Sequence, residues 1–181
     1  MARMQVNKSA ARNLQYAALC YRVNDDGEIR VLLVTSRDSG QWILPKGNPI
    51  KGYAPHEAAR RELWEEAGVT GRILGKKPVG SFEYDKHTGK EVTHMHITVY
   101  RFLYGATSET FKENGQRAQK WCALPEALYF LSQNTNIPLT GFWNIQLMFW
   151  AEAQRAELAL KKKARRPKPQ KKARPPVLAG G

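Results

Sequence analysis

The 181-residue sequence predicts an α/β domain, and three observations carry that expectation. Apolar runs of strand length, broken by Gly- and Asn-rich turns, occupy much of residues 15–44 and 72–123. Between them lies a charged segment opened by Pro55 and closed by Gly68, the punctuation of a helix. Two further helical patterns, the second intensely apolar, follow from residue 125 to about residue 161. One domain is the default for this length.

Composition sets the boundaries. The formal charge is +13, but residues 161–181 hold nine Lys or Arg and no Asp or Glu. The other 160 residues carry 20 basic against 16 acidic side chains, a mild excess that suits an anionic small molecule. Residues 1–13 read as a flexible N-terminus and 14–160 as the folded domain. Residues 161–181, rich in Lys, Arg and Pro, lack the apolar content to build a core and are expected to form a disordered tail that invites a polyanion or an anionic surface.

In chain order, residues 15–22 read as a strand, and Asn24-Asp25-Asp26-Gly27 is a turn leading into a second strand at 30–35, which makes a hairpin. Trp42-Ile43-Leu44 delivers the chain to a loop punctuated by Pro45, Gly47, Pro49 and Gly52. The helix follows, and strands are expected again at 72–74, 79–84 and 91–104, with a turn at 85–89. In the last of these Met95, Ile97 and Val99 alternate with His94, His96, Thr98 and Tyr100, so one face is apolar. The two histidines have a spacing that suits a transition metal, but no third ligand is evident; side chains lining a cleft or facing water account for them. A loop at 105–114, a strand within 115–123 and a short helix at 125–132 complete this half.

Thr140 is placed to cap a final helix from Gly141 to about Lys161. Phe142, Trp143, Ile145, Leu147, Met148, Phe149 and Trp150 fall on more than one of its faces. Packing on the sheet explains most of them, and a dimer interface is the alternative, so the protein is expected to be a monomer or a homodimer.

Cys20 and Cys122 lie in apolar runs without a nearby partner and read as buried free thiols of a reducing compartment. The N-terminal residues lack the apolar run of a signal peptide, and no stretch approaches the ~18 apolar residues of a membrane span. A cytoplasmic protein is expected.

The chemistry concentrates in WILPKGNPIKGYAPHEAARRELWEEAGV, residues 42–69. At about 100° per residue, Glu62, Glu65 and Glu66 share an arc of roughly 100° on one helix face. Like charges so placed repel one another. The pairs Glu57–Arg61 and Arg61–Glu65 at i,i+4 suit a salt-bridged surface helix, whereas three carboxylates on one face suit a hard divalent cation such as Mg²⁺, which takes oxygen ligands.

The segment resembles the Nudix box, G-x5-E-x7-R-E-U-x-E-E-x-G-U with U a bulky aliphatic residue. Gly47 matches the first glycine, Arg61-Glu62-Leu63 the R-E-U, Glu65-Glu66 the E-E and Gly68-Val69 the final G-U, eight of nine defined positions. Tyr53 stands where the family has its first glutamate. The Leu44-Pro45-Lys46-Gly47 approach and the Gly115-Gln116…Lys120-Trp121 segment are similar to the branch that acts on dinucleoside polyphosphates, diphosphoinositol polyphosphates or triphosphorylated RNA ends. Together they extend the resemblance over roughly residues 15–150.

The resemblance implies a Nudix fold, a mixed β-sheet sandwiched between helices. It also implies a pyrophosphohydrolase that uses Mg²⁺ or Mn²⁺ to cleave a phosphoanhydride bond. By motif position, Glu65 and Glu66 become the principal metal ligands, with Glu62 and the backbone carbonyl of Lys46 beside them. Glu62 is the candidate base for the attacking water and Arg61 the residue that holds the box glutamates by ion pairing; Glu65 also belongs to the catalytic set. Lys46, Gly47 and Arg117 are candidate substrate contacts, and Glu113 is a candidate additional acidic ligand. Tyr53 is not an ordinary ligand for such an ion, a phenol being a poor anionic donor near neutral pH.

The expected substrate is a phosphate-rich small molecule of the dinucleoside polyphosphate or diphosphoinositol polyphosphate type. One alternative is an RNA 5′ pyrophosphohydrolase, or an RNA-binding protein that makes nonspecific RNA contact through the tail. The other is a catalytically impaired scaffold, because Tyr53 replaces a box glutamate.

Overall fold

The structure, a computed structural model, describes residues 13–88 and 91–164. Its strands are β1 (Leu14–Val23), β2 (Ile29–Thr35), β3 (Trp42–Ile43), β4 (Lys46–Gly47), β5 (Val69–Ile73), β6 (Gly80–Thr88), β7 (Glu91–Thr107) and β8 (Gln119–Ala123). Its helices are α1 (Pro55–Ala67), α2 (Leu124–Ser132) and α3 (Leu139–Ala164). The expected flexible N-terminus lies outside the described residues but for Asn13, as does the expected tail beyond Ala164.

The sheet runs β3-β2-β1-β7-β5, with β4 on β1, β6 on β7 and β8 on β2. β1 and β7 are parallel from Leu14 opposite His96 to Tyr21 opposite Leu103, while the other pairs are antiparallel. The sheet is therefore mixed, as expected.

Strands buried on both faces need apolar residues at successive positions, and the central strands have them. Ala17, Leu19, Val31, Leu33, Met95, Ile97 and Val99 point to one face, where Ala127 and Leu131 of α2 and Ile145, Met148 and Phe149 of α3 cover them. Ala18, Cys20, Leu32, Val34, Tyr100 and Phe102 point to the other, against Ala59, Leu63 and Ala67 of α1. The result is an α/β/α sandwich. Each fully buried large aliphatic or aromatic side chain is worth about 1.5–3 kcal/mol.

Local signals hold α1 in place. Pro55 occupies its first turn, and the Glu57 carboxylate accepts a hydrogen bond from the Ala54 N–H at 3.0 Å. Gly68 ends it in the left-handed region at φ 63°, its N–H donating to the Trp64 carbonyl at 2.8 Å. β5 begins at once with Val69, so the strand expected at 72–74 starts three residues earlier.

Other boundaries move because tertiary pairing extends elements beyond their local signal. Asp85 through Thr88 continue β6 opposite β7, where a turn was expected, and β7 reaches Thr107 because β5 pairs with its end. Tyr100 is buried under α1, unlike the exposed His94 and His96 on the same strand face. α3 begins at Leu139, so Thr140 sits inside its first turn instead of capping it. Arg101 of β7 ties α3 to the sheet, donating from Nη1 to the buried Glu152 at 3.2 Å and from Nε to the Leu74 carbonyl at 2.6 Å. Cys20 and Cys122 are fully buried, unpaired thiols; burial pushes them up to about 12 and about 11.

Candidate active site

Three pieces of backbone meet at the edge of α1. β4 pairs with β1, Lys46 opposite Ala17 and Gly47 opposite Tyr16, and the Pro45 carbonyl accepts from the Ala18 N–H at 2.9 Å. This pins the Pro- and Gly-rich loop against the sheet. The loop after β7 is pinned in turn by the Glu113 N–H, which donates to the Glu65 carbonyl at 3.0 Å. The charged face of α1 stands between the two.

Glu62, Glu65 and Glu66 face that junction, as their helical spacing predicts. Glu66 is buried; its Oε2 accepts from the Lys46 N–H at 3.0 Å and its Oε1 from Arg117 Nη2 at 2.5 Å. Glu65, also buried, is held by Arg61 Nε at 2.5 Å and by the Lys112 ammonium. Glu62 is half-buried and packs on Gly47 so closely that a Cβ there would overlap its carboxyl group. That position tolerates only glycine without displacing Glu62.

The electrostatics differ among the three. Burial, reinforced by the neighbouring Glu65 charge, pushes Glu62 above the usual carboxylate range. Burial also opposes ionisation of Glu65, but hydrogen bonds from Lys112 and Arg61 outweigh it and hold that carboxyl down. Glu66 is pushed up to about 7, burial prevailing over the opposing charge of Arg117.

Arg117 organises the second loop. Its Nε donates to Glu113 Oε2 at 2.6 Å, its Nη2 to Glu66 and its Nη1 to the Thr35 carbonyl at 2.8 Å. Glu113 thereby joins the cluster, with Arg37 3.4 Å from its other oxygen. Each nitrogen of the Arg117 guanidinium serves a protein acceptor, and although two of its five N–H groups are left over, its side chain is only 6% exposed and offers little surface to a substrate. The Lys46 ammonium, by contrast, reaches across the cleft to the Tyr84 hydroxyl at 3.3 Å, and burial lowers it to about 8. The same hydroxyl donates to Gln15 at 3.1 Å, which donates to Asn48 at 3.2 Å.

These groups line a cleft of about 620 Å³ together with Arg37, Lys86, His87, Asn134 and Asn136. Sequence reasoning missed Gln15, Arg37, Tyr84 and Lys86 because they come from elements far apart in the chain. Lys112 carried one weak signal, its position next to Glu113. His94 and His96 lie outside the lining; His94 sits between Asp85 at 2.8 Å and Glu83 at 3.2 Å, with His96 3.7 Å from Glu83.

A hard divalent cation fits the donor chemistry. Four carboxylates are drawn to one wall, and burial has raised two of them, the condition that a cation relieves. Among the described residues no three such groups converge as a ready cage, since Glu65 and Glu66 are turned toward Arg61, Lys112 and Arg117. A bound ion would exchange some of those partners.

Residues 13–140 match the family model of the NUDIX domain. The chain is 36% identical over 118 residues to Nudix hydrolase 21, chloroplastic, of Arabidopsis thaliana, an alignment covering 64% of this chain and 56% of the relative. It is 42% identical over 115 residues to diphosphoinositol polyphosphate phosphohydrolase 2 of Rattus norvegicus, covering 64% of this chain and 60% of the relative. It thus spans less than two thirds of the length of either. Among solved structures, the C. elegans Ap4A hydrolase binary complex superposes with a TM-score of 0.53 at 20% identity, over 81% of this chain and 97% of that one, a likeness of fold.

Proposed function

The chain belongs to the Nudix family of hydrolases, and from that premise we propose that it is a divalent-metal-dependent pyrophosphohydrolase of a phosphate-rich small molecule. The observation that carries this reading is the pairing of an acidic wall with basic ones. Glu62, Glu65, Glu66 and Glu113 line the cleft together with Arg37, Lys46, Lys86 and Lys112, of which Lys112 pairs with Glu65 and Arg37 with Glu113 while the ammonium groups of Lys46 and Lys86 stand apart from these glutamates. A metal ion on Glu65 would release Lys112 as well, which is more cation than a single phosphoanhydride needs. A diphosphoinositol polyphosphate or dinucleoside polyphosphate would use it.

In this reading Glu65 and Glu66 would hold Mg²⁺ or Mn²⁺, with Glu62, the Lys46 carbonyl and Glu113 as further oxygen donors. The ion, when bound, supplies neutralisation of phosphate charge and activation of water. The protein side chains do the positioning. Arg61 fixes Glu65, and Arg117 fixes Glu66 and Glu113. Glu62, raised by burial and pressed against Gly47, is assigned as the base that takes the proton from the attacking water. Lys46, steered by Tyr84, supplies a cation to the substrate phosphates. Tyr53, at the position of the missing glutamate, accepts a hydrogen bond from Arg61 at 3.2 Å, which supports retained catalysis over an impaired scaffold.

A second reading, an RNA 5′ pyrophosphohydrolase or an RNA-binding protein, rests on the nine basic residues of 161–181. A cytoplasmic location is proposed on the two buried free thiols; no described helix is long and apolar enough to cross a membrane.

The test is product release with Mg²⁺ and with Mn²⁺ over diphosphoinositol polyphosphates, dinucleoside polyphosphates, nucleoside triphosphates and triphosphorylated RNA, beside the Glu65→Gln/Glu66→Gln protein. Metal-dependent turnover of one of the first two classes, lost in the double variant, is expected. Turnover confined to RNA would move the assignment to the second reading. No turnover by folded protein would favour the impaired scaffold.

A further inference from the structure

α3 buries one side and leaves the other bare. Ile145, Met148, Phe149 and Glu152 face the sheet, whereas Trp143 and Trp150 are 55% and 65% exposed, together with exposed Leu139, Leu147 and Leu158. On helical geometry these five side chains fall within about 100° of arc, centred opposite the buried side. Leu139, Trp143, Leu147 and Trp150 form an unbroken apolar stripe of about three turns, which Leu158 resumes beyond the exposed Gln154. Isolated exposed apolar residues are ordinary, but a stripe with two indoles marks a surface that is used.

The stripe runs directly into the most basic part of the chain. α3 continues to Ala164, and the nine Lys or Arg of residues 161–181 begin on its last turn with Lys161, Lys162 and Lys163. Within the helix itself the acidic residues are Glu152, buried against Arg101 and Arg155, and Glu157 at the border of the stripe. An aromatic apolar face followed by a run of positive charge is the pattern of a helix that lies in the headgroup region of an anionic bilayer.

We propose that the outer face of α3 docks this protein on an anionic membrane surface, toward which the net positive charge of the sequence after it draws the chain. The indoles then sit at the headgroup level. This is the partner that uses both features at once. A nucleic acid would engage the charge and leave the stripe in water. A second copy would cover the stripe but leave the positive charge that follows it without a partner. No described residue of α3 lines the cleft, so docking leaves the cleft open and does not depend on the substrate assigned above.

The experiment is co-sedimentation of the full chain with vesicles of phosphatidylcholine alone and of phosphatidylcholine with about one third phosphatidylserine. Indole fluorescence and light-scattering mass are recorded alongside. Wild-type protein should pellet with the anionic vesicles and remain in solution with the neutral ones, its emission shifting to the blue on binding. Trp143→Gln/Trp150→Gln and, separately, Lys161→Gln/Lys162→Gln/Lys163→Gln should each weaken that partition about tenfold or more. Unfolding midpoints should stay unchanged, the two replaced indoles being exposed. Three outcomes overturn the proposal. One is wild-type protein that ignores anionic vesicles. Another is an indole variant that binds them as well as wild type while RNA competes, which assigns the charge to a polyanion. The last is a wild-type dimer that the indole variant converts to monomer without any vesicle binding, which assigns the stripe to a second copy.

Discussion

The Tyr53 hydroxyl accepts a hydrogen bond from Arg61 Nη1 at 3.2 Å, while Nε of the same guanidinium grips Glu65 at 2.5 Å. The Tyr53 ring lies 5.8 Å from the guanidinium carbon. An acceptor thus remains where the family pattern has a carboxylate, and its effect reaches the site through Arg61. Tyr53→Phe should lower kcat by about two- to tenfold, the range of one modest hydrogen bond. Tyr53→Glu should restore or exceed wild-type activity, and Arg61→Ala should cost about ten- to a hundredfold. Steady-state kinetics on the substrate identified by the panel decide this; a Tyr53→Phe protein without activity would mean that the phenol itself takes part.

Gly47 and Glu62 are pressed together, and the obstacle to a side chain at Gly47 is the far end of a movable glutamate. Gly47→Ala should therefore displace Glu62 without unfolding the loop. Activity is expected to fall by an order of magnitude or more, with little change in the unfolding midpoint. Gly68→Ala is the contrasting case, since its φ of 63° and the Phe111 ring both oppose a Cβ. It should lose about 1–3 kcal/mol of stability. Equal stability losses in the two variants would contradict the assignment.

Arg117 is buried between two buried carboxylates, at 2.5 Å from Glu66 and 2.6 Å from Glu113. Arg117→Met leaves Glu66 without its buried cation and Glu113 with Arg37 alone, and should destabilise the domain by about 3–5 kcal/mol. Adding Glu113→Gln should recover part of that loss. Denaturant titrations of the single and double variants measure it, and additive losses would show that the three groups are not coupled.

His94 is held above its ordinary value of 6.5 by the Asp85 hydrogen bond, with Glu83 adding to it. A group whose folded pKa exceeds its unfolded one contributes stability fully below the unfolded value and loses it as pH rises through the folded value. His94→Gln should lower the thermal midpoint between about pH 5 and 6.5, where the carboxylates are still ionised. The difference should narrow at higher pH. A pH-independent difference would rule out titration of His94 as its source.

Local and periodic features were legible before any tertiary structure was known. The spacing of Glu62, Glu65 and Glu66 puts them on one face of α1 because helix geometry is set by the backbone, and Pro55 and Gly68 mark its ends for the same reason. The apolar runs at residues 15–22 and 30–35 and the alternation along 91–104 announced β1, β2 and β7, the last with one apolar face; that Tyr100 is covered on the other face was not legible. Long-range pairing was not legible. That β1 runs parallel to β7, that Asp85 continues a strand, and that α3 starts at Leu139 depend on partners tens of residues away. The site divides along the same line. Three of its four carboxylates belong to one helix and were visible in one segment, whereas Glu113, the cations Arg117 and Lys112, and the Tyr84–Gln15 pair that meets Lys46 come from elsewhere in the chain. Only packing decides which cation meets which carboxylate, because burial, and with it the cost of an unpaired charge, exists only once the chain has folded.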